Sequence, residues 1–74
     1  MIITYHGQQR LFSRNICIEA VKKCAIFGAV VDSPRYGTLK KRFKTTDGPL
    51  YVLIDTTDNT LITAYYEYGS KGDK

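Results

Sequence analysis

The residues best suited to chemistry fall in one short stretch, Thr4-Tyr5-His6-Gly7-Gln8-Gln9-Arg10-Leu11-Phe12-Ser13-Arg14-Asn15-Ile16. It holds the only histidine of the chain, and arginines follow at two successive steps of four. Each residue of an α-helix turns by about 100°, so a step of four advances by only about 40°. His6, Arg10 and Arg14 therefore share one helix face. Imidazole titrates nearest neutrality of all side chains, and guanidinium keeps its charge. Together they could hold a phosphodiester and move a proton at it. The same spacing also describes a solvated helix face.

The chemistry that fits best is cleavage of RNA by its own 2′-hydroxyl. That reaction needs a base for the hydroxyl, an acid for the leaving 5′-oxygen and cations for the charge gathering on phosphorus. His6 is the candidate acid or base, and Arg10 and Arg14 are the candidate phosphate ligands. Thr63 and Tyr65, with Tyr66 as an alternative, could donate hydrogen bonds or protons from the last strand. A second basic group, Arg35, Lys40, Lys41, Arg42 and Lys44, has no acid between Asp32 and Asp47 in a chain of net charge +4. Such a field favours anionic partners, nucleic acid first. The plainer reading is a strand face that keeps a small protein hydrated. Tyr36, Phe43 and Tyr51 could stack on bases.

Other chemistries fit less well. There is no glycine-rich phosphate loop, no dinucleotide fingerprint and no Ser-His-Asp set. The two glutamates, Glu19 and Glu67, stand in contexts that suggest no carboxylate pair. Cys17 and Cys24 are two helical turns apart, about 10 Å, beyond the roughly 7 Å that a disulfide spans. With one histidine and no CxxC, no metal site is expected, and no cofactor. The two cysteines read as small buried apolar residues. A nucleophilic Cys17 at the start of a helix is the remote alternative.

These residues need elements to position them. Thr4 is a suitable N-cap for a first helix, with Leu11 and Phe12 as its apolar contacts and Ser13-Arg14-Asn15 as its end. A second helix follows, with Cys17, Ala20, Val21, Cys24 and Phe27 or Gly28 forming one apolar stripe and Gly28 as the stop. Ala29-Val30-Val31 is a short β-branched run. The insert from Asp32 to Gly37 fits no pattern. Thr38 to Thr45 alternates, with Leu39, Lys41 and Phe43 on one side and Lys40, Arg42 and Lys44 on the other. Thr46 to Pro49 is a hairpin turn. Leu50 to Asp55 is nearly all apolar and reads as the central strand. Thr60 to Tyr68 is the last strand, with Leu61, Thr63, Tyr65 and Glu67 on one face and Ile62, Ala64, Tyr66 and Tyr68 on the other.

The expected class is α+β: two N-terminal helices packed on a twisted antiparallel sheet of three to four strands. Residues 1–68 form one domain, and residues 69–74 a mobile polar tail. No apolar run approaches the roughly 20 residues that span a bilayer, and the N-terminus does not resemble a signal peptide. The expected setting is cytoplasmic, without a membrane partner.

Thr4-x-His6-x-x-x-Arg10-x-x-x-Arg14-x-Ile16, with Val21 on the second helix and Leu61-Ile62-Thr63-Ala64-Tyr65 on the last strand, resembles the small bacterial and phage family named domain of unknown function 4258. These positions span nearly the whole chain to about Tyr66. That family is grouped with the barnase–colicin–RelE fold, whose better-known members are metal-independent endoribonucleases, many of them toxins. The resemblance implies two helices on a twisted antiparallel sheet, with His6, Arg10, Arg14 and Thr63 at the family's characteristic positions. Gly7 departs from the small alanine common there, and Cys17 from the usual Ser or Thr cap.

The expected function is thus a small basic RNA-interacting protein resembling metal-independent endoribonuclease toxins. RNA is its expected partner, with an antitoxin or host protein beside it. The alternative is a non-catalytic phage or mobile-element module that binds nucleic acid or a host protein. A third reading is a homodimer that pairs a free strand edge.

Overall fold

The computed structural model describes residues 1–33 and 35–67. Two helices, α1 (Tyr5–Ser13) and α2 (Ile18–Phe27), precede four strands, β1 (Ala29–Asp32), β2 (Thr38–Thr45), β3 (Gly48–Asp55) and β4 (Thr60–Tyr66). The strands form one antiparallel meander in the order β1-β2-β3-β4. This is the expected α+β arrangement. The expected tail over residues 69–74, Tyr68, and Pro34 in the insert lie outside the described residues; the last strand ends at Tyr66, with Glu67 already in a turn rather than in the strand.

Thr4 caps α1 as its sequence suggests: its hydroxyl accepts a bond from the Gly7 amide at 3.0 Å. Ahead of it the chain is extended. Ile2 forms a parallel bridge to Thr60, donating to the Asn59 carbonyl and accepting from the Leu61 amide. This bridge pins the start of α1 beside β4. At the other end Asn15 turns left-handed, at φ 57°, a conformation asparagine tolerates better than most residues. That turn delivers Ile16 into the core, with its amide bonded to the Leu11 carbonyl at 2.8 Å.

The core lies between the helices and one face of β3 and β4. Leu11, Ile16, Val21 and Cys24 meet Leu50, Val52, Ile54, Leu61 and Ala64. The helical stripe is narrower than the sequence pattern implies. Phe12 is 85% exposed and Phe27 70% exposed, and Cys17 stands exposed at the N-cap of α2 without a capping bond. In α1 the contact is made by Leu11, and Phe12, rotated by about 100°, turns to solvent. A small chain has too few elements to cover both flanks of a helix.

Gly28 ends α2 in extended backbone, not in a left-handed turn. Its role is close approach: a Cβ there would run into the Cys24 carbonyl and lie 3.0 Å from the Arg42 carbonyl. Only glycine lets α2 descend onto β2 at this point.

The pleat of β3 sends Leu50, Val52 and Ile54 inward and Tyr51, Leu53 and Asp55 outward, as expected for the central strand. The β4 alternation differs from the simple pattern. Leu53 pairs with Thr63, but Ile54 pairs with Leu61, so Ile62 is an extra residue. This bulge puts Leu61 on the core side with Ala64 and leaves Ile62 exposed. A second irregularity in β1 falls at Val31, between the pairs Val30–Lys41 and Asp32–Lys40. The insert before β2 is organised by Thr38, whose buried hydroxyl donates to the Arg35 carbonyl and accepts from the Arg35 amide. Among the described residues no helix is long and apolar enough to cross a membrane.

Candidate nucleic-acid interface

Both helices pack on one side of the sheet, so among the described residues its other face is open. The ladder sets what stands there. Lys40 pairs with Leu53, Arg42 with Tyr51 and Lys44 with Pro49, while Tyr51 pairs with Tyr65 and Leu53 with Thr63. Directly paired residues project to the same face. Three cations of β2 therefore stand beside two tyrosines and a threonine.

The tyrosines are in contact. The Tyr51 and Tyr65 rings lie 5.4 Å apart between centroids, inclined by 19°. The Lys40 ammonium sits 5.0 Å from the Tyr51 centroid and 5.6 Å from that of Tyr65. Interaction with the Tyr65 side chain above all, and with Asp32 and Tyr51, holds the Lys40 ammonium above its ordinary pKa. Tyr51 is fixed at its far end, where its hydroxyl donates to Glu67 Oε1 at 3.0 Å. A ring pair flanked by cations offers a stacking surface and charge for an anionic backbone.

The bulge in β4 has a consequence at this face. It keeps Thr63 and Tyr65 on the open side while Leu61 turns to the core. Arg14 reaches across from the end of α1, and its Nη1 donates to Thr63 Oγ1 at 3.1 Å and to the Ala64 carbonyl at 3.0 Å. This guanidinium thus joins the helix to the edge strand and to the open face. Its remaining N–H groups are the ones that could meet an anion.

His6 and Arg10 continue the strip along α1. With Gln9 and Ser13 they line a shallow groove of about 270 Å³. The His6 ring is exposed, and among the described residues no hydrogen bond orients it. Arg10 also borders the seam between α1 and β4, with Gly7, Leu11, Arg14 and Thr63. The seam is nearly closed among the described residues, at about 10 Å³, too small for a phosphate. Arg10 is the residue common to the groove and the seam. His6, Arg10, Arg14, Thr63 and Tyr65 form a chain of neighbours running from α1 onto the sheet rather than a ring around one cavity.

The second basic group is divided. Lys40, Arg42 and Lys44 share the open face. Lys41 faces the opposite way, and its ammonium donates to the Ala25 carbonyl at 2.6 Å, closing the C-terminal end of α2. Arg35 is exposed in the turn ahead of β2. Tyr36 is fully exposed in the same turn. Phe43 is not available for stacking on the open face, because it packs against the core from the helix side.

Sequence reasoning named Tyr51 and Tyr65 separately and missed that they form one stacked pair beneath Lys40. The turn alone could not show it: the register set at Asp55–Thr60 would oppose Tyr51 to Ala64, and only the bulge at Ile62 brings Tyr65 beside it. The Arg14–Thr63 link depends on the same bulge. Comparison with family models, with curated proteins and with solved structures finds no match to this chain.

Proposed function

We propose that this chain is a small RNA-interacting protein of the metal-independent endoribonuclease type, with RNA lying along the open sheet face and its scissile phosphate beside α1. The observation that carries this reading is the cluster of Lys40, Tyr51 and Tyr65, linked through Thr63 and Arg14 to the His6–Arg10 groove. Bases stack on the tyrosines, and Lys40, Arg42 and Lys44 follow the phosphates. At the reacting phosphate, Arg10 and the free edge of Arg14 hold the non-bridging oxygens.

In the chemical step the 2′-oxygen forms a bond to phosphorus and loses its proton, and the 5′-oxygen leaves and gains one. The products are a 2′,3′-cyclic phosphate and a 5′-hydroxyl. His6 carries one of these protons, and Thr63 or Tyr65 assists from the strand. The test is incubation of labelled single-stranded RNA with wild type and His6→Ala, in the presence of EDTA. The expected result is cleavage by wild type and a loss of at least about 100-fold in rate for the variant, the usual scale for a general acid or base. RNA left intact by wild type, with RNA binding retained, removes the catalytic part.

A second reading has its own observation. His6 lacks an orienting hydrogen bond among the described residues, while the Lys40–Tyr51–Tyr65 cluster is held in place on several sides. That contrast suits a module that binds nucleic acid without turning it over. Unchanged RNA affinity in His6→Ala, with no cleavage by either protein, would establish it.

A further inference from the structure

A second concavity lies on the opposite side from the open face. It is a groove of about 470 Å³ between α2 and the inner ends of β2 and β3. Ala25, Ile26, Leu39 and Ile54 give it an apolar wall, and Lys22 and Lys41 are its charged side chains. Among the described residues no Asp or Glu lines it. Lys41 uses one N–H on the Ala25 carbonyl, and an ammonium has three. Lys22 is exposed on α2.

The apolar surface extends past this groove. Ile26 is 71% exposed, and Val30, which stands opposite Lys41 in the ladder and shares its face, is 55% exposed. The surface is therefore longer than a small ligand would need. An exposed apolar patch rimmed by charge marks an interaction surface. Here the rim is of one sign, so the complementary ligand is anionic as well as apolar.

We infer that this groove docks a short acidic, amphipathic segment of a protein partner. The partner's apolar side chains lie on Ile26, Leu39 and Ile54, and its carboxylates face Lys22 and Lys41. This inference is independent of what the open face binds.

The test uses the full chain and fluorescein-labelled twelve-residue peptides, followed by anisotropy. One peptide alternates Leu and Glu, one alternates Leu and Lys, and one alternates Ser and Glu. The Leu/Glu peptide is expected to bind at least ten times more tightly than the other two. Lys22→Glu and Ile26→Asp, both at exposed positions, are each expected to weaken it at least fivefold. Tyr51→Ala and Tyr65→Ala are expected to leave it unchanged. Equal binding of the Ser/Glu peptide, loss of binding in the tyrosine variants, or no binding of the Leu/Glu peptide would each overturn the inference. Displacement of the Leu/Glu peptide by decanoate at comparable concentration would overturn it in favour of a small amphiphilic anion.

Discussion

At the scale of single residues, Cys24 shows how burial sets chemistry. Its thiol is fully buried under α2, donating weakly toward the Lys41 and Leu50 carbonyls. Burial pushes its pKa from 9.0 to about 11, with Lys41 opposing in part. The folded state thus keeps a proton that the unfolded state gives up first. Stability carried by this group is complete below about pH 9 and falls as pH rises toward 11. Chemical denaturation of wild type and Cys24→Ala across that window checks this: the wild type should lose more stability with rising pH than the variant. A different residue-scale expectation concerns the tyrosines. Base stacking is worth about 1–3 kcal/mol per base, so Tyr51→Ala and Tyr65→Ala should each weaken single-stranded RNA binding by about 5- to 150-fold. Tyr51→Phe, which loses only the bond to Glu67, should retain most of the affinity in the same titration.

At the scale of elements, neighbouring lysines on one strand have opposite duties. Lys41 points under the sheet to the end of α2, and Lys40 stands on the open face over the tyrosines. Bonds from a charged donor contribute about 1.5–3 kcal/mol when partly buried. Lys41→Met should therefore lower stability by about 1–2 kcal/mol, less than the full value because the methionine still packs. It should leave RNA affinity nearly unchanged, whereas Lys40→Met should do the reverse. Thermal melts and RNA titrations on the same two variants decide the matter. This division was legible in the alternation of β2, because a pleated strand sends successive side chains to opposite faces. The β4 pattern was less legible. Thr60 to Tyr66 carries apolar residues at both parities, so no reading of alternation could place the bulge at Ile62. The helix starts followed from local chemistry at Thr4, but the exposure of Phe12 and Phe27 did not. Which flank of a helix is covered depends on how many elements remain to cover it.

At the scale of the whole molecule, the layer of two helices makes the two faces of the sheet unlike. One face of the sheet supports the core, and the other is left open with three cations and a stacked aromatic pair. The charge cluster and the turning of Lys41 away from it were visible in the sequence, but that Lys41 closes the end of α2 needed the position of that helix. The strip from His6 to Arg14 was visible too, because Arg10 and Arg14 follow at helical spacing. Its junction with the open face was not, since that junction is made by a bond across forty-nine residues of sequence, between Arg14 and Thr63.

On the proposed reading, single-stranded RNA lies on the open sheet face and meets α1 at Arg14. The most direct test is a nuclear magnetic resonance titration of the labelled protein with an unstructured RNA oligomer at two salt concentrations. Shifts are expected at Arg14, Lys40, Arg42, Tyr51, Thr63 and Tyr65. With three phosphates along β2 and a fourth at Arg14, affinity should fall by about 50-fold between 50 and 200 mM salt. Shifts confined to Lys22, Ala25 and Ile26 on the helical side, or affinity indifferent to salt, would contradict it.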